Sequence, residues 1–263
     1  MDSVPDSAAC NLSVKLAVDH GFGSLRGFVN GVLRNIARNR DGIKYPDKNT
    51  SPLEYYSVEY SVPVELVEIL LQDYDSETVD RILGSSYEMR PTSIRVNTDR
   101  ISVDEVERKL EAAGIETVRG SLNDTSLLIK GYDYVRRIPG FMDGEFVVQD
   151  QSSCLAVRAA GIQNGDLVVD VCAAPGGKTM YAASLAGQTG RVISRDLTEN
   201  KTELIEENVD RLGLTNVTVE AWDARDLDEN LVGKADVVIA DLPCSGLGIM
   251  GRKNDIKYNV TGD

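Results

Sequence analysis

From residue 167 onward the chain alternates short apolar runs with helical stretches, and this alternation constrains its fold more than any other feature. Strands are predicted at residues 167–172, 191–196, 217–222 and 235–240, with helices over 179–186 and 198–212. Apolar runs this short, separated by helices, are strands buried on both faces of a parallel sheet, linked by right-handed crossovers. The expected fold class is α/β with a Rossmann-like domain, in which ligands bind beyond the carboxyl ends of the strands.

The first of these strands runs into Cys172, Ala173, Ala174, Pro175, Gly176, Gly177, Lys178 and Thr179, where a helix begins. Glycines at such a turn let backbone approach a ligand closely. A phosphate-binding GxxxxGK[ST] loop requires glycine where Cys172 stands, and the dinucleotide fingerprint GxGxxG is missing, so neither nucleotide class fits. Asp196, Asp223 and Asp241 end the next three strands. One strand-terminal Asp is commonly a turn former. Three in succession are expected to face a single crevice. After Asp241 come Leu242, Pro243, Cys244, Ser245 and Gly246. A thiolate adding to carbon 6 of a cytosine makes carbon 5 nucleophilic, and a cysteine fixed by a preceding proline suits that chemistry.

Upstream, Leu25, Phe28, Val29, Val32, Leu33 and Ile36 recur at helical spacing and predict an amphipathic helix over 24–39, with a weaker segment before it at 12–18. Residues 42–52 have linker composition. Two short helices around Leu66–Leu70 and Val79–Leu83, and a strand at 93–97, follow. A helix opened by a Ser102/Glu105 capping box and closed by Gly114, and strands at 127–129 and 146–148, complete a small α+β module. The expected domains are 1–48, 49–145 and 146–263.

Four cysteines without CxxC spacing and a single histidine, His20, exclude zinc sites and histidine-dependent triads, so no metal is expected. Cys10 and Cys154 read as buried filler. A net charge of -14 argues against a polyanionic partner, yet the balance reverses locally. Arg26, Arg34, Arg38, Arg40, Lys44 and Lys48 stand against only Asp41 and Asp47. No apolar run reaches the roughly 18 residues that cross a bilayer, so no membrane partner is expected and the location read from sequence is cytoplasmic.

The run from Ala173 to Thr179, paired with Asp241-Leu242-Pro243-Cys244-Ser245-Gly246, resembles the joint signature of the Sun (RsmB-like) family of RNA cytosine-5 methyltransferases. Gly27 to Arg34 resembles the last helix of that family's NusB-like RNA-binding domain. Arg90 to Asn97 resembles its central RNA-binding module, and Val148 to Ser153 the lead-in to its catalytic fold. The resemblance implies S-adenosyl-L-methionine as cofactor and a cytidine of small-subunit (16S) ribosomal RNA as substrate, handled by a monomer. It implies that Cys172 to Lys178 wrap the methionine part of the cofactor, that Asp196 holds the ribose, and that Asp223 lies by the adenine. Asp241 then lines the transfer site together with Lys178. The family's covalent nucleophile is a later cysteine on a Thr-Cys loop, and the cysteine matching Cys244 serves product release. No cysteine follows Cys244 here, so the expectation is a chain truncated at both ends, with a NusB-like remnant, an incomplete sheet and little or no turnover; Cys244 is the nucleophile if the chain is active. A non-catalytic RNA-binding or ribosome-assembly protein on the same scaffold is the alternative, marked by salt-sensitive RNA affinity without cofactor binding.

Overall fold

A computed structural model describes residues 4–258, in two compact units: residues 4–87 with 247–258, and residues 88–246.

The first unit is helical. Its α1 (Asp6–Asp19) and α2 (Arg26–Asn39) pack on one another, and a 3-10 turn at Gly23–Leu25 takes the first residues of the predicted helix. Phe28, Val32 and Ile36 of α2 stay exposed. Three further helices, α3 (Pro52–Glu59), α4 (Val64–Asp73) and α5 (Ser76–Gly84), enclose a core of Tyr56, Val62, Val67, Val79 and Leu83. The sequence reading missed α3, although Pro52 right after Ser51 is a helix-start signal, since proline at the first helical position gives up an N–H that has no partner anyway. The Tyr56 hydroxyl donates to Ser76 O (2.9 Å), and Asp75 caps α5 by accepting from Thr78 N (2.8 Å). The 247–258 segment is fastened to α3 through Lys257, whose Nζ donates to Tyr60 O (2.9 Å).

The second unit holds two four-stranded sheets. In the first, β1 (Thr92–Val96), β2 (Glu116–Arg119), β3 (Ser126–Lys130) and β4 (Phe146–Val148) lie in the order β2-β3-β1-β4, all antiparallel. Helix α6 (Val103–Ala112) starts at the full Ser102/Glu105 capping box, and the chain leaves it through Gly114 at φ +77. The edge strand β2 escaped the sequence reading because Glu116-Thr117-Val118-Arg119 has one apolar residue, itself exposed.

β1 is buried on both faces, and its alternation separates two environments. Ile94 and Val96 join Val106, Leu110, Leu127, Ile129 and Phe146 in the apolar core beneath α6. Ser93 and Arg95 lie on the other face, where the Arg95 guanidinium stacks 4.5 Å over the Tyr181 ring. Tyr181 belongs to the second layer, which begins with α7 (Gln151–Ala159), capped by Asp150 through Ser152 N (3.0 Å).

That layer contains β5 (Leu167–Asp170), α8 (Gly177–Ala186), β6 (Arg191–Asp196), α9 (Glu199–Leu212), β7 (Val217–Ala221) and β8 (Val237–Ile239). Its strands are parallel in the order β7-β6-β5-β8, which is the Rossmann-like architecture expected. Val168, Ala182, Ala183, Ala186 and Val192 form the core between α8 and the sheet. Among the described residues β8 pairs only with β5, and Val238 is exposed.

Leu110 sits fully buried in the α6 core. Leu110→Ala removes that packing and is expected to lower stability by about 2–5 kcal/mol, read as a reduced denaturant midpoint at unchanged slope. A loss below about 1 kcal/mol would contradict the packing described.

Candidate functional site

The loop after β5 is held by backbone hydrogen bonds from both sides. Val171 N donates to Ile239 O of β8 (3.0 Å), and Ala173 N to Arg195 O of β6 (2.9 Å). Its far side is fixed by α9, where Asn208 Nδ2 donates to Pro175 O (3.0 Å). Gly176 closes the loop at φ +101 as the residue before α8. A Cβ built there would come 2.6 Å from Met180 Cε and 3.3 Å from Ile205 Cγ2, so both conformation and space call for glycine.

Below the loop lies a buried polar chain that sequence reasoning did not single out. The Thr179 hydroxyl donates to Asp170 Oδ2 (2.8 Å) and meets Ser194 Oγ at 2.8 Å. Asp170 is fully buried, and its Oδ1 has no partner. Burial pushes its carboxyl up to about 6, against the smaller opposing pull of Thr179 and the Lys178 charge.

Asp196 ends β6 and turns back onto the loop. Its Oδ2 accepts Ala174 N (3.0 Å), and its Oδ1 accepts Leu197 N (2.8 Å) and Lys201 Nζ (2.9 Å). Burial alone raises such a carboxyl, but Lys201 and the two amides outweigh it and hold Asp196 below its ordinary value. Two oxygens offer about four lone-pair sites and three are taken, so Asp196 keeps acceptor capacity.

The other acidic tips are arranged differently. Asp223, two residues past β7, is gripped by Arg225: its Oδ1 accepts both Nε and the backbone N of Arg225 at 3.0 Å. Those bonds push its carboxyl down to about 2. Asp241, past β8, pairs with Lys178 Nζ, which also reaches Ser153 Oγ at 3.5 Å. Lys178 therefore ties the tip of β8 to the start of α8, while Asp223 makes its contacts with Arg225. Arg195, also unforeseen, is buried under Trp222 (4.5 Å) and bonds Glu220 (2.8 Å) and Asp228 (2.6 Å), which fixes the segment after β7 against β6. The signal for both Arg195 and Asp170 was present as charge inside a buried strand, which is rarely tolerated without a partner.

Of the four thiols, Cys10 and Cys154 are buried, Cys172 is half-buried in the loop, and Cys244 is exposed. Burial, with Asp196 nearby, pushes the Cys172 thiol up and makes it a poor nucleophile. No group of three or more His, Cys, Asp or Glu that could hold a metal occurs among the described residues, and no helix among them is long and apolar enough to cross a membrane.

Three family models match the chain in order: the NusB family over residues 1–38, the RsmF/B-like ferredoxin-like domain over 62–135, and 16S rRNA methyltransferase RsmB/F over 158–262. A probable ribosomal RNA small subunit methyltransferase B of Bacillus subtilis is 36% identical over all of this chain and 58% of its own length. Two solved structures are each 26% identical. PH0851 superposes with a TM-score of 0.84, covering 99% of this chain and 58% of its own. A methyltransferase homolog protein from Pyrococcus horikoshii gives 0.63, covering 77% and 67%. The chain thus spans somewhat over half the length of the curated relatives it matches.

The buried Asp170 carboxyl makes stability depend on pH. Its folded value lies above the unfolded value of 3.8, so its contribution is whole below about pH 4 and is lost as pH rises through 6. Asp170→Asn removes this titration. Relative to the native chain, the variant is expected to gain about 2 kcal/mol between pH 4 and pH 7 in denaturant titrations. A difference that does not change with pH would show that Asp170 titrates normally.

Proposed function

Because the chain belongs to the RsmB/F family of 16S rRNA methyltransferases, we propose that it is built to methylate carbon 5 of a cytidine in small-subunit ribosomal RNA with S-adenosyl-L-methionine as donor. One observation carries this reading: a glycine-closed loop stitched to β6 and β8, with Asp196 folded against it and Asp241 joined to it through Lys178.

These residues fit the cofactor. Gly176 lets the loop turn tightly against Met180 and Ile205, where no Cβ would fit, Asp196 is a carboxylate with acceptor capacity suited to ribose hydroxyls, and Lys178 braces the other side of the loop through Asp241. When bound, S-adenosylmethionine supplies an electrophilic methyl group. The loop 172–178 holds the methionine end in this proposal, and Asp196 the ribose. Asp223, already neutralised by Arg225, supports the adenine side by shape more than by charge. Lys178 keeps Asp241 oriented at the tip of β8, next to the segment that presents Cys244.

The proposed domains are a NusB-like piece over 1–48, an α+β RNA-binding module over 49–145 and the methyltransferase domain from 146. The basic residues Arg26, Arg34 and Arg38, all on α2, and the neighbouring Arg40 supply the positive charge for an RNA backbone in an otherwise acidic chain. Cys244 is the one exposed thiol of the four, and it is assigned to product release. A polypeptide of these 263 residues is therefore proposed to bind the donor without completing turnover; if it turns over, Cys244 is the nucleophile.

Calorimetry with S-adenosylhomocysteine tests the cofactor reading. The native chain is expected to bind, and Asp196→Ala to bind about tenfold more weakly or worse, as loss of a charged acceptor predicts. No binding by the native chain would overturn the reading in favour of a scaffold that engages RNA alone. Mixed with S-adenosylmethionine and small-subunit ribosomal RNA in a single-turnover assay, the native 263-residue chain is expected to form no covalent RNA adduct. An adduct abolished by Cys244→Ser would reject the product-release assignment.

A further inference from the structure

Gln149 follows β4 directly and is only 5% exposed. Its Oε1 accepts from Arg95 Nε at 2.7 Å. A guanidinium has donors and no acceptor, so the carboxamide oxygen must face Arg95 and the NH₂ must face away. That NH₂ is buried and has no partner.

What lies beside it is the start of α8. A Cβ built on Gly177 would be 3.7 Å from Gln149 Cδ and 3.8 Å from Nε2, so the amide lies against the first residue of the helix. The first N–H groups of a helix have no intrahelical acceptor and carry partial positive charge. Met180 N bonds back to Gly176 O, so the amides of 177–179 precede the first intrahelical bond of α8. Lys178, on the same turn, is paired with Asp241. An unpaired buried NH₂ and a helix start both favour an anion. S-adenosylmethionine carries one anionic group, the carboxylate of its methionine part.

We propose that Gln149 is a cofactor-binding residue whose NH₂ donates to the α-carboxylate of the methyl donor at the start of α8, with Arg95 holding the amide in the donating orientation. The assignment rests on the cofactor reading above. Ser93, whose carbonyl accepts from Gln149 N (3.1 Å), also has a buried hydroxyl without a partner, so a water shared by Ser93 and Gln149 is the competing occupant.

Two ligands separate these possibilities. S-adenosylhomocysteine contains the carboxylate, and 5′-methylthioadenosine keeps the nucleoside and sulfur without it. In calorimetry on the full chain, Gln149→Leu is expected to weaken S-adenosylhomocysteine about tenfold or more while leaving methylthioadenosine within about twofold. Gln149→Glu keeps the size, offers Arg95 a carboxylate and sets a negative charge against the ligand. It is expected to give the same pattern and decides the matter if the Leu variant fails to fold. Equal losses for both ligands would reduce Gln149 to a packing role and overturn the proposal, as would unchanged S-adenosylhomocysteine binding. If the native chain binds methylthioadenosine and S-adenosylhomocysteine equally well, the carboxylate has no donor here and the proposal also falls. Binding of neither ligand by the native chain would instead defeat the cofactor reading itself.

Discussion

Two backbone hydrogen bonds, Val171 to Ile239 and Ala173 to Arg195, fix the loop after β5 to the strands on either side of it. They are possible only because β5 is central in a parallel sheet, flanked by β6 and β8 in matched register. Everything proposed for the site follows from that placement. Asp196 reaches the Ala174 amide because β6 ends level with the loop, and Lys178 reaches Asp241 because β8 ends level with it on the other side. A parallel sheet brings all its strand tips to one edge, so residues far apart in sequence become neighbours without any long-range device.

The cost of this arrangement sits just beneath. Asp170 is buried with one oxygen unpaired, and Thr179, itself bonded to Ser194, compensates it only in part. The inward face of the antiparallel sheet likewise carries Ser93, Arg95 and Gln149 where packing alone would favour apolar side chains. Buried polar groups of this kind lower stability unless paired. Their concentration around the start of α8 places strain where a ligand is proposed to relieve it, while the opposite face, under α6, is a purely apolar core.

Much of this was legible in the chain. Strands at 191–196 and 146–148 and the capping box at Ser102 and Glu105 were read where they occur, because each is a local signal: apolar runs between breakers, and a reciprocal cap. The Gly176 turn was read for the same reason. What escaped was set by partners that an apolar pattern does not show. β2 forms because β3 offers it a ladder, α7 because Asp150 caps a segment that looked like a lead-in, and α3 because Tyr56 finds a core among α4 and α5. At the site, Asp196 ends β6 as read, whereas Asp223 and Asp241 stand two residues beyond β7 and β8, and the engagements were not readable: Asp223 with Arg225, Asp196 with Lys201 and two amides, Asp241 with Lys178. A carboxylate announces itself in sequence, whereas the cation that occupies it depends on how the loops fold.

Amide hydrogen exchange of the native chain with and without S-adenosylhomocysteine tests the central claim most directly. The account predicts slowed exchange concentrated at 171–179 and at the tip of β6 around Asp196, with α1 and α2 unchanged. Saturating ligand that leaves 171–179 exchanging as before, or that protects only a different part of the chain, would contradict it.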